Sequence, residues 1–147
     1  LVDAGELLTA SDIIGALSLD ALLGTIAACD PRIHAGKPHP GQRRSAEILR
    51  ALVTGSPLND SHRDCGHVQD AYALRCMPQV HGAVRGALGY AAAALRIEVN
   101  SFTDNPLVLA RDDGGFDVIS GGNFHGATVA VPILLWVPKP VRAWYSE

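Results

Sequence analysis

The chain has 147 residues, of which 48% are hydrophobic and 18% charged, with a formal net charge of −3. That length supports one domain with a core of its own, and the composition excludes a wholly disordered chain. The charge leaves no basic field for nucleic acid or an anionic lipid surface; the basic side chains between Arg32 and Arg50 read as a solvated patch.

In chain order, Thr9, Ser11 or Asp12 can each cap a helix whose apolar positions are Ile13, Ile14, Leu17, Leu19, Leu22, Leu23 and Ile26, closed by Pro31. The segment Asp30–Gln42, rich in proline, histidine and glycine, reads as an ordered loop. A second helix is expected from Gln42 to Val53, with Ile48, Leu49, Leu52 and Val53 on its apolar side and Gly55 as a left-handed cap. Ser56–Asp60 reads as a short turn. From about Ser61 the pattern is helical as far as Asn100, and Pro78 should kink or end that helix. As one kinked helix, residues 61–99 would run about 58 Å, more than the roughly 40 Å diameter of a compact chain of this size. That mismatch points to a larger parent protein or to oligomeric partners.

Asn100–Pro106 is a loop of side chains that bond their own backbone. Leu107–Leu109 and Phe116–Ile119 flank Asp112-Asp113-Gly114-Gly115, a hairpin pattern. After the glycine-rich Gly121–Gly126, a helix begins near Ala127 and should be cut short by Pro132, Pro138 and Pro140. The closing stretch 131–147 has poor periodicity and exposes Trp136, Trp144 and Tyr145. Low aromatic content and abundant alanine favour helix packing, so the expected fold class is all-α with a short hairpin near 107–119. The three cysteines Cys29, Cys65 and Cys76 are widely spaced and form no CxxC pair, which favours reduced thiols in a cytoplasmic protein over a disulfide scaffold. No membrane-length apolar run and no signal peptide are found.

The chemistry concentrates in Val68–Cys76. Gln69, Tyr72 and Arg75 recur every three residues, so on a helix an amide, a phenol and a guanidinium climb one broad face among apolar neighbours. Buried polar groups need partners or a cavity. The arrangement is therefore either a core glutamine and tyrosine with an arginine paired to Asp70 or Glu98, or a site in which Arg75 grips a carboxylate. His62, Cys65 and His67 do not share a helix face and lack a fourth ligand, so no metal site is expected. The glycine-rich segment follows no dinucleotide-binding pattern; it is a tight turn, or it sets Phe124 and His125 at a cavity wall.

Three blocks carry a resemblance: Ser61-His62-Arg63-Asp64-Cys65 with Val68–Gly82, Asn100–Leu107, and Ile119–Gly126. With the lead-in Gly15–Leu19 and Asp30–His34, they resemble the histidine ammonia-lyases of the aromatic amino-acid lyase family over about residues 10–130. The resemblance implies one fragment of a larger helical lyase domain: a homotetramer with a bundle of long central helices, eliminating ammonia from L-histidine to give urocanate in histidine degradation. It implies a methylidene-imidazolone electrophile formed from Ala-Ser-Gly. It also implies a catalytic set of Gln69, Tyr72 and Arg75, in which Arg75 binds the substrate carboxylate and Tyr72 sits beside electrophile and substrate. Gln69 and Asn105 would line and polarise the prosthetic group, and Phe124 would pack on the reacting centre.

Two departures stand beside these matches. The sequence contains no Ala-Ser-Gly, since Ala10-Ser11 precedes Asp12 and Ser120-Gly121 follows Ile119. The proline-rich tail after Val131 also diverges from the family's long helix. The expectation is a central fragment that is inactive alone. The alternatives are a fragment of a tyrosine or phenylalanine ammonia-lyase or aminomutase, or a non-catalytic helical assembly module.

Overall fold

The structure is a computed structural model that describes residues 2–62, 64, 66 and 68–136. Leu1, Arg63, Cys65, His67, the side chains of Leu135 and Trp136 and the whole of 137–147 lie outside the described residues, and with them the expectations placed there. The chain divides into two compact units, 1–88 and 89–147, each taken by itself below.

In the first unit, α1 (Val2–Ala21) buries Ala4, Leu8, Asp12, Gly15, Ala16 and Leu19, one stripe at helical spacing. It begins well before its expected caps Thr9, Ser11 and Asp12. Thr9 and Ser11 lie inside it and donate to the carbonyls of Gly5 and Leu8, and Asp12 is fully buried. Of the expected apolar face, Leu19 is buried while Ile13, Ile14, Leu17 and Leu22 are exposed. The helix ends at a turn where Leu23 takes a φ of +56° and the Gly24 N–H closes on the Leu19 carbonyl at 2.8 Å. A 3-10 turn follows (Ile26–Cys29).

Pro31 opens a helix instead of closing one. In α2 (Pro31–Gly36) it occupies the first turn, where its missing N–H costs nothing, and Asp30 caps the Arg32 N–H. Pro40 does the same for α3 (Pro40–Val53), so the expected loop is mostly helical. The buried face of α3 is Gln42, Ser45, Ala46, Leu49 and Val53, whereas Leu52 is exposed. Gly55 has the left-handed φ of +84° expected of it. The turn at Ser56 is a short capped helix, α4 (Pro57–Ser61).

The continuous helix over 61–99 does not form. Residues 69–71 are irregular, α5 (Tyr72–Arg75) is a single turn, and α6 (Met77–Glu98) starts afresh. Pro78 stands in the first turn of α6, so it initiates a helix where a kink or an end was expected. Val68, Ala71 and Ala73 are exposed, so no core rewards a helical run through them. At about 1.5 Å per residue α6 is roughly 33 Å long, and the length argument for partners falls.

Leu19, Leu49, Val53, Cys29 and Met77 pack together with Ala16 and Ala46 as the core of this unit. Two further devices fix α6 against it. A Cβ on Gly41 would meet the carbonyl oxygen of Gly82, and one on Gly82 would meet the backbone of Gln42, so α3 and α6 touch main chain to main chain. Asp12 accepts from His81 Nδ1 at 2.8 Å and from Arg85 Nη2, while Arg85 Nε donates to Ser45 Oγ at 3.0 Å. The buried Asp12 carboxylate thus joins α1 to α6, and Arg85 carries the link on to α3.

In the second unit, β1 (Leu107–Ala110) pairs antiparallel with β2 (Phe116–Ile119), Leu107 opposite Ile119 and Ala110 opposite Phe116, as the hairpin pattern predicts. Then α7 (Ala127–Trp136) continues four residues past Pro132, which is buried and does not end the helix. The Thr128 hydroxyl donates to Glu98 at 2.9 Å. The described residues are thus mainly helical, with one small hairpin.

Candidate functional site

The structure assembles Gln69, Tyr72 and Arg75, though not as a stripe along a buried helix. Gln69 lies in exposed irregular chain and Tyr72, at 74% exposure, opens α5. Arg75, half-buried at the end of that turn, folds back over both. Its Nη1 donates to Gln69 Oε1 at 2.7 Å, and its Cζ lies 4.6 Å from the centroid of the Tyr72 ring. The guanidinium is therefore held by a hydrogen bond at one edge and an aromatic face beneath. Its Nε is buried and has no hydrogen-bond partner among the described residues, a donor whose desolvation is uncompensated.

The two acids that could have neutralised this arginine bond elsewhere. Glu98 accepts from Thr128. Asp70 accepts the Thr25 N–H at 2.7 Å, joining the segment to the turn after α1. That turn is itself secured, since Asn59 Nδ2 donates to the Gly24 carbonyl at 2.7 Å.

In the second unit, Asn105 Oδ1 accepts from Ser120 Oγ at 3.1 Å and from the Gly121 N–H at 2.8 Å. The Asn123 amide donates to the Phe102 carbonyl at 3.1 Å. The loop after α6 and the glycine-rich segment are thereby laced together. Phe124 projects with 60% exposure, while His125 Nδ1 accepts the Ala127 N–H at 3.3 Å at the start of α7. Both carboxamides named from the sequence thus have their oxygens engaged as acceptors, which turns the NH2 of each into the end that can donate to a ligand.

Sequence reasoning missed the Asp12–His81–Arg85–Ser45 cluster. Its one legible trace is the i, i+4 spacing of His81 and Arg85, which puts two basic groups on one face of α6. It also missed the buried pair His34 and Gln42: Gln42 Nε2 donates to His34 Nδ1 at 2.9 Å, so the other ring nitrogen donates to the Ala28 carbonyl at 3.0 Å. Three groups among the described residues are moved from their ordinary titration range. Burial pushes the Cys29 thiol up to about 11 against the opposing pull of Arg50. The Arg32 side chain holds the Asp30 carboxyl well below the usual range. The third is Arg32 itself, whose guanidinium is raised by its bond to Asp30.

The family described as "Aromatic amino acid lyase" matches residues 1–133. The chain is 56% identical over 135 residues to the histidine ammonia-lyase of Sorangium cellulosum, covering 90% of this chain and 26% of that protein. It is 51% identical over 139 residues to that of Koribacter versatilis, covering 88% and 27%. The chain thus spans about a quarter of the length of these relatives. Among solved structures, histidine ammonia-lyase from Trypanosoma cruzi superposes with a TM-score of 0.74 at 37% identity, over 92% of this chain and 24% of that one. Tyrosine aminomutase from Streptomyces globisporus does so at 0.79 and 34%, over 90% and 28%. With the hairpin and all three motif blocks falling within the matched region, the chain belongs to the aromatic amino acid lyase family.

Proposed function

We propose that these residues work in an ammonia-lyase that eliminates ammonia from L-histidine to give urocanate. The observation that carries the reading is the Arg75 guanidinium, steadied by Gln69 and Tyr72 yet left with a buried, unpartnered Nε. Such a group has both the charge and the spare donor to take a substrate carboxylate. Histidine is favoured as the substrate because relatives at 51–56% identity carry that name.

The methylidene-imidazolone of this family supplies an electrophile for the substrate, and each unit by itself offers a carboxamide donor of the kind a ring carbonyl accepts from, Gln69 in the first and Asn105 in the second. The residues present therefore fit the group. Its Ala-Ser-Gly precursor does not occur in the 147 residues, so the electrophile comes from elsewhere and these residues alone are inactive. On this reading Arg75 orients the amino acid by its carboxylate, Tyr72 stands beside the reacting atoms, and Phe124 packs on the reacting centre. The assembly is a cytoplasmic homotetramer. Support for partners comes from the exposed Ile14 and Leu17 on α1, a helix that is also apolar on its buried side.

The test is urocanate absorbance after adding L-histidine to the full-length polypeptide that carries these residues. Turnover of L-histidine is expected, and none by the 147 residues alone. Preference for L-tyrosine would favour the second reading, an aminomutase or tyrosine lyase, for which the 0.79 TM-score to tyrosine aminomutase speaks. Absence of turnover with any aromatic amino acid would leave the assembly module.

A further inference from the structure

We propose that Asp70 is a positioning residue for the Arg75 clamp, seating the 69–75 segment on the Gly24–Thr25 turn; this rests on reading Arg75 as the carboxylate-binding group. Residues 69–71 have no regular structure and α5 is only one turn, too short to hold its own geometry in water. Gln69 and Tyr72 aim the Arg75 side chain from within the segment, so the placement of the segment itself must be fixed from outside.

Two contacts do this. Asp70 Oδ2 takes the Thr25 N–H at 2.7 Å across 45 positions of sequence, a charge-assisted bond of the stronger kind. Beside it the Leu74 side chain rests against Gly24, where an added Cβ would come within 3.2 Å of Leu74 Cδ1. The turn can bear this load because the Gly24 N–H is closed on Leu19, a core residue, and the Gly24 carbonyl is held by Asn59. The same bond serves the clamp in a second way. Asp70 is a carboxylate five residues from Arg75, and a free one would compete with the substrate for the guanidinium. Bound to Thr25, it is kept out of that competition.

The experiment compares Asp70→Ala and Asp70→Asn in the full-length polypeptide, reading KM and kcat for L-histidine together with hydrogen exchange over 22–30 and 69–76. Asp70→Ala should raise KM roughly tenfold with a smaller fall in kcat, and speed exchange in both stretches. Asp70→Asn should stay within about threefold of the parent, because its amide oxygen can accept the same N–H. A structural role alone would lower the melting temperature and the active fraction without moving KM. A KM within about twofold of the parent in Asp70→Ala, or no rescue by asparagine, overturns the proposal. If Asp70→Ala does not fold, the Thr25 amide in the parent decides: protection supports the tether and fast exchange overturns it. A parent without turnover counts against the lyase reading, and the exchange measurement then judges the tether by itself.

Discussion

His81 Nδ1 lies 2.8 Å from Oδ1 of Asp12, a carboxylate with no solvent exposure, and Arg85 engages the other oxygen. Removing the acid would leave a guanidinium facing a desolvated gap. Asp12→Ala should therefore destabilise the fold by about 3–5 kcal/mol, the range for breaking one side of a buried pair. Adding Arg85→Met should restore much of that loss. Thermal melts of the parent, the single variant and the double variant check both statements, and an unchanged melt for Asp12→Ala would refute them.

Cys29 gives the fold an alkaline limit. Its thiol titrates near 9 in the open chain and near 11 when folded, because burial disfavours the thiolate. Between those values the folded state holds a proton that the unfolded state has lost, so stability falls as pH rises through that window. The loss should approach roughly 2–3 kcal/mol at its upper end. Urea titrations at pH 8, 9, 10 and 11 should show the decline, and Cys29→Ala should flatten it.

The main-chain contact between α3 and α6 has a clean control. Gly41→Ala drives a methyl group into the Gly82 carbonyl, whereas Gly36→Ala enters open space. The first should cost about 2 kcal/mol or more, since backbone must move. The second should stay within about 0.5 kcal/mol of the parent. Equal melting temperatures for the two would show that α3 and α6 do not meet at these glycines.

Arg75→Lys keeps the charge and discards the fork. Lysine cannot both hold Gln69 and present a second parallel donor, so kcat/KM for L-histidine should fall about a hundredfold, mostly through KM. The melting temperature should hardly change, because Gln69 and Tyr72 are both exposed. A loss of stability equal to the loss of activity would mark Arg75 as a structural arginine.

What could be read in advance follows physical range. The hairpin declared itself through Asp112–Gly115 and its flanking apolar runs, because turn chemistry is local. Gly55 declared its left-handed turn for the same reason. Helix boundaries failed wherever a proline was taken for a breaker: Pro31 and Pro78 stand in first turns, as does Pro40 of the expected loop, and Pro132 is tolerated inside α7. Sequence alone does not separate those roles. The site residues were legible as a cluster of types, yet periodicity put Gln69, Tyr72 and Arg75 on a helix that does not form between Gln69 and Ala71. Their meeting depends on Arg75 folding back, a side-chain choice with no periodic trace. Asp12 was invisible as a core residue because its partners lie 69 and 73 positions away.

The glycine contact also limits how this crossing can change over time. At Gly41 and Gly82 an added methyl group meets main-chain atoms, which every residue type shares. No substitution at one position can therefore make room for a change at the other. Two residues in direct contact are then expected to carry no compensating pair of substitutions, and a contact map inferred from co-varying pairs would miss this crossing.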